Sequence, residues 1–185
     1  MSFRKCFWIL RGIIYKIRFE KIIFPSYIGK PIFINNANKI RCGRKFRIYP
    51  GARIEIGKNN SKIIIGNNVS IGQNLHMVSY NENLEIGDNV TISGNVFISN
   101  CDHLYDDIDT SVLEQPIISK KTTIGEGTFL GYGCVILAGT NLGKHCIVGS
   151  NAVVRGNFSD YSVIVGAPAR VVKKYNLEKK CWEKC

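Results

Sequence analysis

The sequence predicts an all-β fold: a parallel β-helix of six-residue repeats, with a short N-terminal helical or cap segment and one protruding loop. Three observations carry this. An aliphatic residue returns every six positions, at Ile124, Leu130, Ile136, Leu142, Val148 and Val154. Glycine follows it at one phase, at Gly125, Gly131, Gly143 and Gly149. A small or medium residue stands four places after it, at Thr128, Cys134, Thr140, Cys146 and Ala152. A six-residue period drifts around an α-helix, and a plain two-faced strand has no need of glycine at one fixed phase. A short strand ending in a sharp corner does need it. Three such sides close a turn of roughly 18 residues, with the aliphatics inside and each turn covering its neighbour.

The same pattern runs upstream. Ile65-Gly66 and Ile71-Gly72 lie six apart, followed by Ile86-Gly87, Ile92-Ser93 and Ile98-Ser99, while Ile54 and Ile56-Gly57 are weaker traces. Asn67-Asn68, Asp88-Asn89 and Lys58-Asn59 fall at the corner phase, where residues that tolerate unusual backbone belong. A β-sandwich fits less well, because its turns recur at a looser spacing of roughly 8–12 residues.

One domain suits 185 residues, and 45% hydrophobic content supplies a core rather than a disordered chain. The net charge of +11 points to an anionic partner. No helix-turn-helix, zinc-knuckle or RNA-recognition pattern is present, so nucleic acid is not expected. Much of the charge sits at the ends, in Arg4 to Lys30 and Arg170 to Lys184. That placement suits a membrane surface or a phosphate site. Seven cysteines, an odd number with no matched CxxC pairs, indicate reduced thiols and a cytoplasmic protein. Cys134 and Cys146 fall on the core phase. The apolar runs near the N-terminus are broken by Arg11 and Lys16, too short for a transmembrane span and poor as a signal peptide.

Three regions are expected: a basic amphipathic segment at 1–30, the coil at 31–172, and a basic tail at 173–185. In the first, Phe3, Phe7, Trp8, Ile9, Leu10, Ile13, Ile14 and Ile17 alternate with Arg4, Lys5, Arg11, Lys16 and Arg18. It reads as a cap on the first coil, compatible with peripheral contact of residues 1–24 with the inner membrane. The tail reads as a short helix or a charged loose end.

The register breaks twice. Ile71 and Ile86 are 15 apart, two sixes plus three, which places a small insertion near Tyr80–Asn83. Ile98 and Ile124 are 26 apart, four sixes plus two, which places a loop at about 100–118. Where the pattern demands a small inward residue stands Asp102, and a coil interior does not accept an unpaired carboxylate cheaply. The departing stretch carries His103 and three carboxylates, Asp102, Asp106 and Asp107. Loops on rigid scaffolds are where chemistry concentrates.

The repeat aliphatic-Gly-x-x-small-x over roughly residues 40–172, with the exit Ile164-Val165-Gly166-Ala167-Pro168-Ala169-Arg170-Val171, resembles the hexapeptide-repeat acyltransferases, in particular their sugar and polysaccharide O-acetyltransferases. The resemblance implies a left-handed parallel β-helix, an acetyl-CoA donor, a sugar acceptor, a homotrimer with sites between adjacent coils, and no metal. An Asp-His pair, a loop and then Pro116-Ile117 is how such enzymes present a catalytic histidine. His103 is therefore the expected general base, taking a hydroxyl proton so that the oxygen attacks the thioester directly, with a backbone N–H at the oxyanion. Asp102 or Asp106 is the acid that would orient the imidazole. His76, Gln73 and Asp106 are expected at the acceptor. The pantetheine groove is expected along Gly131, Tyr132, Gly149 and Ser150, and the phosphates of CoA at Arg155, Arg170 and Lys173. Tyr132 and Gln73 depart from the residues more usual at their positions.

The alternative within the family is N-acetylation of a nucleotide-linked amino sugar. The Asp-His loop leans towards O-acetylation, and residues 1–30 leave no room for an added nucleotide domain. A zinc lyase on this coil would need three converging histidines, and the spacing of His76, His103 and His145 does not suggest them. A scaffold without activity would not require the Asp-His loop.

Overall fold

The computed structural model describes residues 3–57 and 60–185. Its short strands stack into three parallel faces. The first runs through Lys21–Ile22, Ile40–Cys42, Ile63–Ile65, Leu84–Ile86, Thr122–Ile124, Asn141–Leu142 and Asn157–Phe158. The second runs from Tyr27–Ile28 to Ser162–Gly166, and the third from Phe33–Ile34 to Val153–Val154. The chain visits the faces in rotation, making a three-sided solenoid.

The register follows the six-residue pattern. Ile124 lies beside Leu142, Leu130 beside Val148 and Ile136 beside Val154, each pair 18 residues apart. Upstream, Ile65 pairs with Ile86, Ile71 with Ile92 and Met77 with Ile98, 21 apart, because the expected insertion after Ser79 adds three residues. All of these aliphatics are buried, as are Thr128, Cys134, Thr140, Cys146 and Ala152 at the small phase. Two apolar rows per face thus fuse into one continuous column. At one corner Asn68 and Asn89 adopt φ of 56° and 59°, as the corner reading requires, and their side chains bond each other at 2.9 Å. The pair Lys58-Asn59 lies outside the described residues.

The ends differ from the expected boundaries. Helix α1 (Phe3–Arg18) is followed at once by coil strands, so the solenoid starts at Lys21 rather than at 31. The first turn was hidden in the sequence because it shows a single aliphatic-Gly pair, Ile28-Gly29, with Ile23 and Asn35 at its other two corners. Tyr15 and Phe19 cover the open end of the column, and Arg11 Nη1 donates to the edge carbonyl of Ile28 at 3.1 Å. This is the expected cap, and it satisfies an edge that would otherwise be exposed. The side chains of Phe3 and Arg4 lie outside the described residues.

At the other end the expected helix or loose tail is an antiparallel hairpin. Ala169–Asn176 pairs back onto Ser162–Gly166, and Cys181–Lys184 pairs onto that strand. The Asn176 carboxamide oxygen accepts from Glu178 N and Lys179 N, forming the turn, and Tyr175 packs edge-on against Trp182. A polar turn and backbone pairing onto the edge of the second face outweigh the charge that made this segment read as loose.

All seven cysteines are free thiols. Cys42, Cys134 and Cys146 are buried, and desolvation pushes the Cys134 thiol up to about 12. Since the thiolate is the nucleophile, maleimide should modify Cys6, Cys181 and Cys185 in the native protein and reach the three core thiols only on unfolding. Labelling of Cys134 at the rate of Cys181 in mass spectrometry of the folded chain would contradict this core.

Candidate active site

The loop departs from the third face and returns to the first. Its roots are tied before any functional group is displayed. Asn100 is fully buried; its Oδ1 accepts Tyr80 N at 2.7 Å and its Nδ2 donates to Glu82 O at 2.6 Å. Lys120 N donates to Asn100 O at 2.8 Å, and buried Thr122 Oγ1 donates to Ser99 O at 3.1 Å. The exit and the re-entry are therefore one hydrogen-bonded knot. The two insertions that the register showed separately also meet there, because the Tyr80–Asn83 turn supplies partners for Asn100.

From this knot rises a two-stranded antiparallel hairpin, Cys101–His103 against Ile117–Ser119. The loop above is braced by Gln115, which accepts Asp107 N and donates to Asp107 O and Thr110 O. Asp107 bonds Thr110 Oγ1 and Asp109 N, which hold its carboxyl below the usual range. Its role is to shape the loop.

His103 stands on the short strand, half-buried. Its Nδ1 is buried with no hydrogen-bond partner among the described residues. Such a group costs about 1–3 kcal/mol if left unsatisfied. The expected orientation by Asp102 is not found. Neighbouring strand residues point to opposite sides, and the Asp102 carboxylate instead meets Arg155 Nη2 at 2.7 Å while its other oxygen accepts His103 N at 3.1 Å. Asp102 and Arg155 nevertheless share a cavity of about 180 Å³ with His103, Asp106 and Lys120. Arg155, expected at a CoA phosphate, is brought to this hairpin.

A second cavity, of about 310 Å³, lies along the third face and is lined by His103, Asp102, Cys101, Phe97, His76 and Glu55 among others. His76 is one coil below Phe97, as the register implied, and packs against its ring edge. His76 Nε2 lies 2.9 Å from Glu55 Oε1, and Glu55 also takes Arg53 Nε at 2.6 Å. Arg53 first, then His76, holds the Glu55 carboxyl below its ordinary value. Glu55 was missed in the sequence. The signal was available in its outward position beside Ile54 and Ile56, but the 21-residue spacing to His76 is not a multiple of six.

The other expected residues divide. Gln73, Tyr132 and Ser150 stand exposed along one corner between the second and third faces, with Gly94 at the level between Gln73 and Tyr132; Asn95 N donates to Gln73 O, Gly133 N to Gly94 O and Asn151 N to Tyr132 O. Gln73 thus joins the expected cofactor corner rather than His76. The Tyr132 hydroxyl is hydrogen-bonded by Asn95 Nδ2, which ties its bulk to the coil below. A Cβ at Gly131 would stand 2.6 Å from Ser150 N, and one at Gly149 2.9 Å from Val165 Cγ1. At Gly131 the close neighbour is main chain, so the next coil itself requires glycine there; at Gly149 it is the side chain of Val165. Arg170 and Lys173 lie on the antiparallel strand of the second face, beside Val165 and Val163. His145 stacks on Tyr161 at another corner, far in sequence and in place from the other two histidines.

Because the folded Glu55 carboxyl is held low, its contribution to stability is present above the unfolded pKa and lost as pH falls through the folded one. The stability gap between the parent and Glu55→Gln should therefore be largest near neutrality and shrink below about pH 4. Urea midpoints for both proteins at the two pH values check this, and a gap that widens in acid would refute the ion pair.

Residues 121–156 match the bacterial transferase hexapeptide family (six repeats). A Mycobacterium tuberculosis protein named as an acetyltransferase is 34% identical over 156 residues; the match covers 84% of this chain but only 45% of that protein's length. An Escherichia coli protein named for O-acetyl transfer in lipopolysaccharide biosynthesis is 34% identical over 161 residues, covering 83% of this chain and 81% of its own. Among solved structures, the N-acyltransferase AntD of Bacillus cereus, in complex with dTDP and 3-hydroxybutyryl-CoA, superposes with a TM-score of 0.77 at 18% identity over 91% and 90% of the two chains. With the repeat, the coil and the near full-length relative in agreement, this chain belongs to the hexapeptide-repeat acetyltransferase family.

Proposed function

We propose that this protein transfers the acetyl group of acetyl-CoA to a sugar hydroxyl in the biosynthesis of a surface polysaccharide, such as an O-antigen or capsule. The observation that carries the reading is the unpartnered, buried Nδ1 of His103 at the junction of two cavities. One imidazole nitrogen takes the acceptor hydroxyl proton while the oxygen forms a bond to the thioester carbonyl carbon. Collapse of the tetrahedral intermediate breaks the carbon–sulfur bond, and the imidazolium returns its proton to the departing thiolate. Each role needs the ring held in one orientation, and the orphaned nitrogen is the handle for it. In a homotrimer with sites between adjacent coils, that handle is met by a group from the neighbouring copy or from a substrate.

Asp102 and Arg155 neutralise each other beside the imidazole, so Asp102 acts by fixing the hairpin, and Asp106 remains the acid of the 180 Å³ cavity that an acceptor hydroxyl can reach. Glu55 and His76 form a polar floor one coil below, suited to further sugar hydroxyls. The donor's pantetheine arm follows the corner at Gly131, Tyr132, Gly149 and Ser150, with Arg170 and Lys173 near its phosphate end. The protein works in the cytoplasm, with residues 1–24 in peripheral contact with the membrane. A second reading, transfer to the amine of a nucleotide-linked sugar, is favoured by one observation: Lys120 lines the His103 cavity as a cation outside the Asp102–Arg155 pair, where a phosphate of a nucleotide would find it.

Thiol release from acetyl-CoA, measured against free, nucleotide-linked and lipid-linked sugars, separates these readings by the acceptor that turns over. His103→Ala should reduce turnover by about 10²-fold or more; full activity in that variant would remove it from the mechanism. His76→Ala should raise KM for the acceptor and leave KM for acetyl-CoA unchanged, the pattern of lost ground-state binding. A rise in the acetyl-CoA KM instead would move His76 to the donor side.

A further inference from the structure

Helix α1 is apolar on two sides, and capping accounts for only one of them. On the inner side Trp8 packs on Tyr27 and Tyr49 with ring centroids 5.7 and 5.3 Å apart, Gly12 passes close over Ser26 and Phe24, and Tyr15 leads into Phe19 over the core. On the outer side Phe7, Leu10, Ile14 and Ile17 follow one another at helical spacing, with Ile13 beside them. Each is more than half exposed, and Ile17 is 91% exposed. A surface helix normally turns polar residues outward, and a contiguous exposed apolar strip marks an interaction site.

The charges say what covers it. At about 100° per residue, Lys16 lies along one flank of the strip and Arg11 and Arg18 along the other. The helix contains no acidic residue. Glu20, just beyond it, is already held by Arg41 and Lys62. Two more cations, Lys45 and Arg47, face Ile9 across an apolar cleft of about 210 Å³ that also includes Phe24 and Pro25. A second copy of this face would set cations against cations with no acid between them. An anionic lipid surface meets both features, the apolar strip entering the acyl boundary and the flanking cations lying at the phosphates. Sixteen residues rise about 24 Å, short of the roughly 30 Å hydrocarbon core, and no described helix is long and apolar enough to cross.

We propose that the outer face of α1, formed by Phe7, Leu10, Ile13, Ile14 and Ile17 between flanking cations, is a docking surface for an anionic membrane. The same helix closes the first coil with its inner face. This sharpens the peripheral contact proposed above and stands whether or not acetyl transfer is the activity.

The test is co-sedimentation of the full chain with vesicles of phosphatidylcholine alone and of phosphatidylcholine mixed with phosphatidylglycerol, at low and high salt. Two variants run alongside, Ile14→Asp/Ile17→Asp and Lys16→Glu, chosen because these side chains point to solvent. The parent should bind the phosphatidylglycerol vesicles at least about tenfold more tightly than the neutral ones, with binding falling as salt rises. The double variant should lose about tenfold or more, and Lys16→Glu several-fold, while both keep the parent's circular dichroism, mass in solution and acetyl transfer to a water-soluble acceptor. Equal binding by parent and double variant, or no preference for the anionic vesicles, would overturn the proposal. A smaller assembly in the double variant would also overturn it, by showing that another copy covers this face. Loss of vesicle binding with transfer intact separates this inference from the catalytic reading.

Discussion

Each coil rests on the next through backbone hydrogen bonds, and at the glycine corners the two lie so close that a side chain would strike the neighbouring coil. Gly131 shows the limit: its missing Cβ would lie 2.6 Å from Ser150 N. The rest of the architecture depends on this approach. It fixes the distance between coils, which fixes the stacking of one aliphatic row on another, which leaves a column of buried side chains. Position along the coil is then a matter of register alone. Side chains on an outward phase are carried to their places by a frame that has little freedom to adjust.

That rigidity explains why the chemistry gathers where the frame is interrupted. A regular coil offers flat outer faces, with His76 and Glu55 as half-exposed groups on one of them. The long departure of the chain is at Asn100, and it is stabilised by the small turn one coil below. The excursion turns a flat face into two cavities with His103 between them. Arg155, reaching from two coils above the one the hairpin leaves, ties down Asp102 on one side of the strand and leaves the imidazole to the other.

What could be read from the sequence is what the period enforces. The aliphatics from Ile124 to Val154, the small residues at the fourth place and both register breaks follow from fixed spacing, and all sit where the spacing put them. His76 below Phe97 was legible for the same reason. The pairing of Asp102 with Arg155 was not, because it joins residues 53 apart in sequence and depends on which side of a two-stranded hairpin each side chain takes. Glu55 was hidden by a turn lengthened to 23 residues, from Ile54 to Met77. The coil before residue 31 offered a single aliphatic-Gly pair, Ile28-Gly29, and the C-terminal hairpin was masked by its own charge. Local period was informative; pairings made across insertions were not.

The knot at the loop's root has a consequence for how such a protein changes over time. Ile98 and Ile136 remain stacked partners although the chain between them runs to 38 residues instead of 18. Since the two ends of the excursion are held together by Asn100, Lys120 and Thr122, nothing in the column senses how long the intervening segment is. Doubling that length would add only about 0.6 kcal/mol of closure entropy. The segment is in effect an exchangeable cassette: its length and chemistry can be rewritten to suit a new acceptor while the column beneath keeps the same sequence requirements.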